Sequence, residues 1–291
     1  MLCWSVTFVW IKVALKTYHP YEITFLRLLM AVLLLFLVQW IGKKAEKVSK
    51  KDLQRLMLIS FCEPFLYFIG EANGMQFVSP TLGSLVISTI PIFAALGAWF
   101  ILRERVSPLL LLGLLISCTG VAVMSLAGGD FSANTKGILF LTIAVFAGTF
   151  YAILVRDLTH RYSALTIVSW QSLFGLLYFL PLFLLRDGNH FLHVKHSADG
   201  LIIIAAMSLF GSVGAFMLFT GVIRELGVVK SNVFTNLIPV FTVVLAFLIL
   251  GDTLNTLATL GLALTLVGLV LSQYKDLRKL NRKKIISTFR R

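Results

Sequence analysis

Four ionisable side chains interrupt stretches of the chain that are otherwise apolar: Lys12, Arg27, Glu63 and Glu71. Charges in such surroundings are costly, and they mark ion pairs, solute contacts or proton relays. Lys12 stands near the end of its stretch, where a long stem lets the ammonium snorkel to water. Arg27 and Glu71 fall at compatible depths, so they either pair with each other or meet a solute. Lys12 is a second candidate partner for Glu71. Glu63, in CEPF, lies deeper and eight residues from Glu71, about 80° away around a helix. It has no partner in the sequence pattern and is the candidate proton-coupling carboxylate.

A second constellation is neutral. Ser84, Ser88 and Pro91 recur at i, i+4, i+7, which is one helical face. Asn232, Asn236 and Pro239 repeat the spacing, with Thr235 alongside. Proline inside a helix frees a carbonyl, which is tolerated where the backbone faces protein or a water-filled cavity. The patch therefore reads as the wall of a substrate cavity, with Pro91 and Pro239 as helix breaks. For Ser84 and Ser88, helix–helix packing through hydroxyl hydrogen bonds is the alternative. Tyr151, Trp170 and Gln171 complete the candidate lining, two aromatics able to stack on a solute and one polar group. His190, His193 and His196, in HFLHVKH, read as a polar loop rather than a metal site. No P-loop, G-x-S-x-G or H-E-x-x-H occurs, so neither a catalytic constellation nor a cofactor is expected. Cys3, Cys62 and Cys118 stand singly and read as packing residues.

The elements that must hold these groups are membrane helices. The 291 residues are 58% hydrophobic and 13% charged, against about a quarter charged in soluble domains. Uncharged runs recur at the ~20 residues a helix needs to cross the ~30 Å hydrocarbon layer. Charges, prolines and glycines place ten spans near 1–17, 22–41, 54–74, 80–102, 107–127, 136–155, 164–185, 200–222, 231–250 and 256–274. The fold class expected is all-α, an integral membrane protein with short loops and no barrel strands. The first span is short, so helix 1 begins at the first residue or the start codon lies upstream. No signal peptide is read in it, because no basic region precedes its apolar run.

The net charge of +13 points to the membrane rather than to nucleic acid, because of where the charge lies. Threading ten spans puts 20 of the 26 Lys and Arg on one side, eight of them after residue 274. The positive-inside rule makes that side cytoplasmic and places both termini there. The basic stretch 275–291 is expected at anionic lipid headgroups. Monomer and homo-oligomer both remain open.

The chain also repeats itself. At an offset of 148, Pro91 meets Pro239, Phe93 meets Phe241, Leu102 meets Leu250, Gly113 meets Gly261 and Gly120 meets Gly268. Near the start of each half the offset is 144, and Arg27 meets Gln171. Two five-helix repeats follow, 1–127 and 136–274. Five is odd, so the second enters the membrane from the opposite side. Inverted repeats of this kind are built into many secondary transporters.

The stretch IPIFAALGAWFILRERVSPLLLLGLLISCTGVAVMS, its counterpart IPVFTVVLAFLILGDTLNTLATLGLALTLVGLVLS, and WSVTFVWIKVALKTYHPYEITFLRLLMA at the start resemble EamA-type members of the drug/metabolite transporter superfamily. The resemblance implies a ten-helix carrier of the bacterial inner membrane that exports amino acids or other small metabolites. It also implies a cavity lined by helices 1, 3, 4, 6, 8 and 9, with 5 and 10 peripheral. Glu63 and Glu71 stand outside the general family pattern. Import or facilitated diffusion of another organic solute is the second reading, ahead of an intramembrane enzyme or sensor.

Overall fold

The computed structural model describes residues 1–102, 108–127, 131–226, 228, 231 and 234–288. Ten helical passes carry the chain, and no strand occurs among the described residues. Pass 1 is α1 (Leu2–Ala14) and pass 2 is α2 (Pro20–Ile41). Pass 3 joins α3 (Lys50–Ser60) to α4 (Tyr67–Gly74) through a kinked stretch, Phe61–Leu66. Pass 4 is α5 (Pro80–Ile87) and α6 (Ile90–Leu102); pass 5 is α7 (Pro108–Ala127); pass 6 is α8 (Phe131–Thr159). Pass 7 is α9 (Ala164–Leu182), continued by a wide turn into α10 (Gly188–His193). Pass 8 joins α11 (Ala198–Ala206) to α12 (Phe216–Leu226) through a wide π-type stretch, Met207–Ala215. Pass 9 is a 3-10 turn (Phe234–Asn236) leading into α13 (Leu237–Leu250), and pass 10 is α14 (Thr256–Thr288). The backbone of the basic C-terminal stretch, as far as Thr288, thus continues α14 rather than leaving it.

Side chains explain where the passes begin. Ser49, Ser163 and Ser197 each accept a hydrogen bond from the backbone N–H three residues on, capping α3, α9 and α11. His19 opens α2 with a capping box to Glu22, and Pro20 takes the first helical position, where its missing N–H costs nothing. The caps obey the repeat: Ser49 and Ser197 are 148 apart, His19 and Ser163 are 144 apart. Leucines such as Leu33, Leu115, Leu139 and Leu248 are more than 60% exposed, an outward face suited to lipid.

The seam between α7 and α14 shows the symmetry most directly. A Cβ added to Gly113 would lie 2.5 Å from the Gly268 carbonyl oxygen, and one added to Gly120 would lie 2.6 Å from that of Gly261. Only glycine permits so close a backbone approach, as small residues do generally in membrane helix pairs. Gly113 is the repeat partner of Gly261, and Gly120 of Gly268. Each helix therefore presents the same patch to the other, antiparallel, as a two-fold axis requires.

Passes 3 and 8 depart from regular α-helix at equivalent levels, since residue 61 corresponds to 209. Passes 4 and 9 break at equivalent levels too, at Ser88–Thr89 and Phe234–Asn236. Pro91 is the second residue of α6 and Pro239 the third of α13. Each proline therefore sits in the first turn after an interruption, where no helical hydrogen bond is lost. The chain breaks just before these prolines rather than at them.

Candidate substrate cavity

The four interruptions converge on a buried cavity. Glu63 reaches it from the pass 3 stretch, Ile87 and Ile90 from either side of the pass 4 break, Phe216 from the end of the pass 8 stretch, and Thr235 from the pass 9 turn. Passes 1 and 6 add Trp4, Thr7, Phe8 and Gly148, Tyr151, Ala152, and pass 2 adds Arg27. Neither α7 nor α14 contributes a lining residue among those described.

Arg27 is only 3% exposed and is held on three sides. Its Nε donates to Ser212 Oγ at 2.6 Å, and Nη1 donates to Glu71 Oε2 at 3.5 Å. Its guanidinium carbon lies 4.3 Å from the Phe68 ring centroid, a cation–π contact that strengthens away from water. Gly211 makes room, because a Cβ there would come within 2.9 Å of Arg27 Nη2 and 2.7 Å of Thr7 Cγ2. The Arg27–Glu71 pair is thus formed, while Lys12 reaches the Gln76 carbonyl instead, at 3.4 Å.

Glu63 stands apart. Its backbone leaves helical geometry (φ −143°, ψ 117°), which turns the carboxylate into the cavity. It makes no hydrogen bond or ion pair among the described residues. Opposite lies an aromatic wall: Trp4 meets Phe216 and Phe219 edge-on, with centroids 5.4 and 5.0 Å apart. Tyr151 donates its hydroxyl to Gln171 Oε1 at 3.0 Å, so Gln171 supports the wall from behind.

The lining is built in pairs. Phe68 and Phe216, Glu71 and Phe219, Ile87 and Thr235, and Ile90 and Ile238 are each 148 apart. Trp4 and Gly148, Thr7 and Tyr151, and Phe8 and Ala152 are each 144 apart. The remaining lining residues are Arg27, Glu63 and Tyr67, whose counterparts Gln171, Gly211 and Ala215 do not line it. Every charge in the cavity therefore comes from the first repeat. The second repeat supplies a phenyl ring or a hydrogen at the carboxylate positions.

Other candidate residues lie elsewhere. Ser84 and Ser88 are fully buried and donate to carbonyls of their own turn, Thr81 O at 2.8 Å and Leu85 O at 2.7 Å. Trp170 packs on Phe36 and Phe174. Asn236, in the pass 9 turn, keeps a buried Oδ1 with no hydrogen-bond partner among the described residues but does not line the cavity. Asn232 lies outside the described residues. Ser212, Gly211, Phe68, Phe216 and Phe219 were not singled out from sequence, although applying the repeat offset to residues 63–71 points to all but Phe68.

With this geometry in place, the chain can be compared with known proteins. The family model of the EamA-like transporter family matches residues 1–126 and 135–274. The chain belongs to the EamA-like transporter family. It is a multi-pass membrane transporter. A relative named "Uncharacterized transporter YetK" from Bacillus subtilis (strain 168) is 30% identical over 85% of this chain and 76% of its own. The "Probable terminal-alkyne amino-acid exporter" of Streptantibioticus cattleyicolor is 26% identical over 99% of this chain and 94% of its own. A crystal structure shares the fold at a TM-score of 0.68, with 16% identity and 94% of each chain covered.

This EamA-family member also ties its repeats together at both ends of the bundle. At the end carrying the termini, Tyr162 donates to Asp52 Oδ2 at 2.9 Å, and Arg161 donates to Asp52 Oδ1 at 3.0 Å. Arg55 bonds Asp157, and Glu46 accepts from the Ser163 backbone at 3.0 Å. The Ser49 hydroxyl, then Tyr162, Arg161 and Arg55, hold the Asp52 carboxyl below its usual range. At the opposite end the equivalent tyrosine, Tyr18, stacks on His196, and the α1–α2 turn meets α10 through histidines and carboxylates. The stretch HFLHVKH is therefore docked on the first repeat through His190 and His196 rather than standing as a polar loop.

Proposed function

We propose that this transporter exports small amphipathic metabolites, amino acids among them, across a bacterial inner membrane by alternating access around the cavity. The observation that carries the reading is the paired lining on the repeat axis, with Arg27, Glu63 and Glu71 gathered on one wall facing aromatics. Such a site offers a cation for a carboxylate, a carboxylate for an ammonium, and a ring for an apolar side chain. A full-length relative named as an amino-acid exporter supports the substrate class. The excess of Lys and Arg at the terminal end supports cytoplasmic termini, with the basic extension of α14 at anionic headgroups. The test is uptake of a panel of amino acids and organic cations into proteoliposomes, with and without a pH gradient. Saturable uptake of an amino acid, lost in Arg27→Gln, is expected. No uptake across the panel by the folded protein would overturn the reading.

A further inference from the structure

At the end of the bundle opposite the termini, two acidic side chains are buried without a basic partner. Glu22, at the start of α2, is fully buried, and Asp187, before α10, is 6% exposed. Neither forms a salt bridge with lysine or arginine among the described residues. Each is faced instead by an imidazole: His190 Nδ1 lies 2.7 Å from Glu22 Oε1, and His19 Nδ1 lies 3.3 Å from Asp187 Oδ1. Buried carboxylates need positive charge close by, which an ion held between them and the imidazoles would supply.

The geometry points to a site for a divalent transition metal of the zinc class, with His19, Glu22 and His190 as ligands. Each can offer one ligand atom, and the three atoms lie within 4.8 Å of one another. Two imidazoles and a carboxylate are a donor set that suits zinc, with water in the fourth position. Outer contacts are already in place. The second oxygen of Glu22 accepts from the His19 backbone N–H at 2.8 Å, leaving Oε1, which faces His190, as the ligand atom. Asp187 holds His19 through Nδ1 and is itself held by the Tyr21 backbone N–H at 3.1 Å. That carboxylate–histidine pairing is the usual second layer of a metal centre, and it leaves Nε2 of His19 for the ion. The carboxylates form the floor, while the imidazoles are 49% and 34% exposed and open to solution. Two adjustments are needed. The His190–Glu22 gap must widen to about 3.4 Å for tetrahedral bonds of ~2.1 Å. The rings, now stacked at 3.7 Å and 12°, must turn so that both lone pairs meet. His19 and Glu22 come from the first repeat and His190 from the second, so the ion bridges the two.

Equilibrium dialysis of the chelator-stripped, full-length protein in detergent against Zn2+ tests this. One bound equivalent is expected, resisting excess Mg2+, unchanged in His193→Gln and at least tenfold weaker in His190→Gln. Asp187→Asn is expected to weaken binding 10–100-fold through His19. Zn2+ is also expected to raise the unfolding temperature of the unsubstituted protein and not that of His190→Gln. If His190→Gln does not fold, His19→Gln, at a half-exposed position, takes its place. No saturable Zn2+ binding, or equal affinity in the folded histidine variants, would overturn the assignment.

Discussion

Replacing Glu71 by glutamine removes one charge from a pair whose atoms lie 3.5 Å apart and whose side chains are 7% and 4% exposed. At an effective dielectric of 20, a pair at this distance is worth about 5 kcal/mol of attraction before desolvation is counted. The glutamine is nearly isosteric, so the loss is mainly electrostatic. Arg27 keeps its bond to Ser212 and its place over Phe68, but it remains buried with its charge uncompensated. Removing one partner of a buried pair typically costs ~3–5 kcal/mol. Glu63, on the same wall of the cavity, offers partial compensation, so the lower end, about 3 kcal/mol, is expected. The double variant Arg27→Gln/Glu71→Gln buries no unpaired charge from this pair and is expected to be more stable than either single variant. Reversible unfolding in mixed micelles, read as a double-mutant cycle, measures the coupling. A Glu71→Gln variant within about 0.5 kcal/mol of the parent, or additive single effects, would refute the view that this pair holds passes 2 and 3 together.

Three further outcomes follow from the same geometry. Glu63→Gln is expected to leave stability nearly unchanged, because Glu63 makes no hydrogen bond or ion pair among the described residues, while abolishing any dependence of uptake on a pH gradient; retained dependence would remove Glu63 as the coupling group. Gly120→Ala places a methyl 2.6 Å from the Gly261 carbonyl oxygen and 2.5 Å from the Thr265 backbone nitrogen. Because backbone cannot rotate aside, a loss at the upper end of the ~1–3 kcal/mol seen for overpacking is expected in thermal unfolding, whereas Gly221→Ala, with nothing within 4 Å, should be silent. Asp52 titrates below the usual aspartate range, so the folded state holds its charged form more tightly than the unfolded chain does. Its contribution is present above the unfolded value near 3.9 and is lost as pH falls through the lower folded value. Asp52→Asn should therefore lower the unfolding temperature at neutral pH and flatten its fall at the acid end.

The sequence carried the membrane class, the ten passes and the duplication because each rests on long-range composition: apolar run lengths, charge placement and a constant offset. The Arg27–Glu71 pair was legible as one of two pairings, since depth along a helix follows from residue count. The serine stripe shows the limit. The i, i+4, i+7 spacing of Ser84, Ser88 and Pro91 describes a face only while the helix is continuous, and the turn at Ser88–Thr89 ends that continuity. On either side of the turn it is Ile87 and Ile90 that meet the cavity, while the serine hydroxyls satisfy themselves on their own backbone. The docking of HFLHVKH was equally hidden. It depends on a contact between residues 168 apart, His190 and Glu22, which no local pattern announces.

The paired lining bears on how such a carrier distinguishes its two sides. If the repeats exchange conformations during transport, each repeat-related pair exchanges surroundings, and a fully symmetric lining would offer a solute the same contacts in both states. Conformational preference needs differential interaction, so such a cavity would hold the solute equally well from either side. Here the exchange is incomplete. Glu71 is answered by Phe219, Glu63 by Gly211 and Arg27 by Gln171, so the charged wall keeps its place while the apolar wall trades partners. A charged solute then meets two unequal sites, and the same asymmetry leaves Glu63 facing different neighbours in each state. Placing a carboxylate at the opposing position, Phe219→Glu in a Glu71→Phe background, moves the charge to the second repeat without changing the inventory of groups. If the first-repeat charges set sidedness, the ratio of solute affinities measured from the two faces of oriented vesicles should shift toward its inverse. An unchanged ratio would place the sidedness outside the cavity.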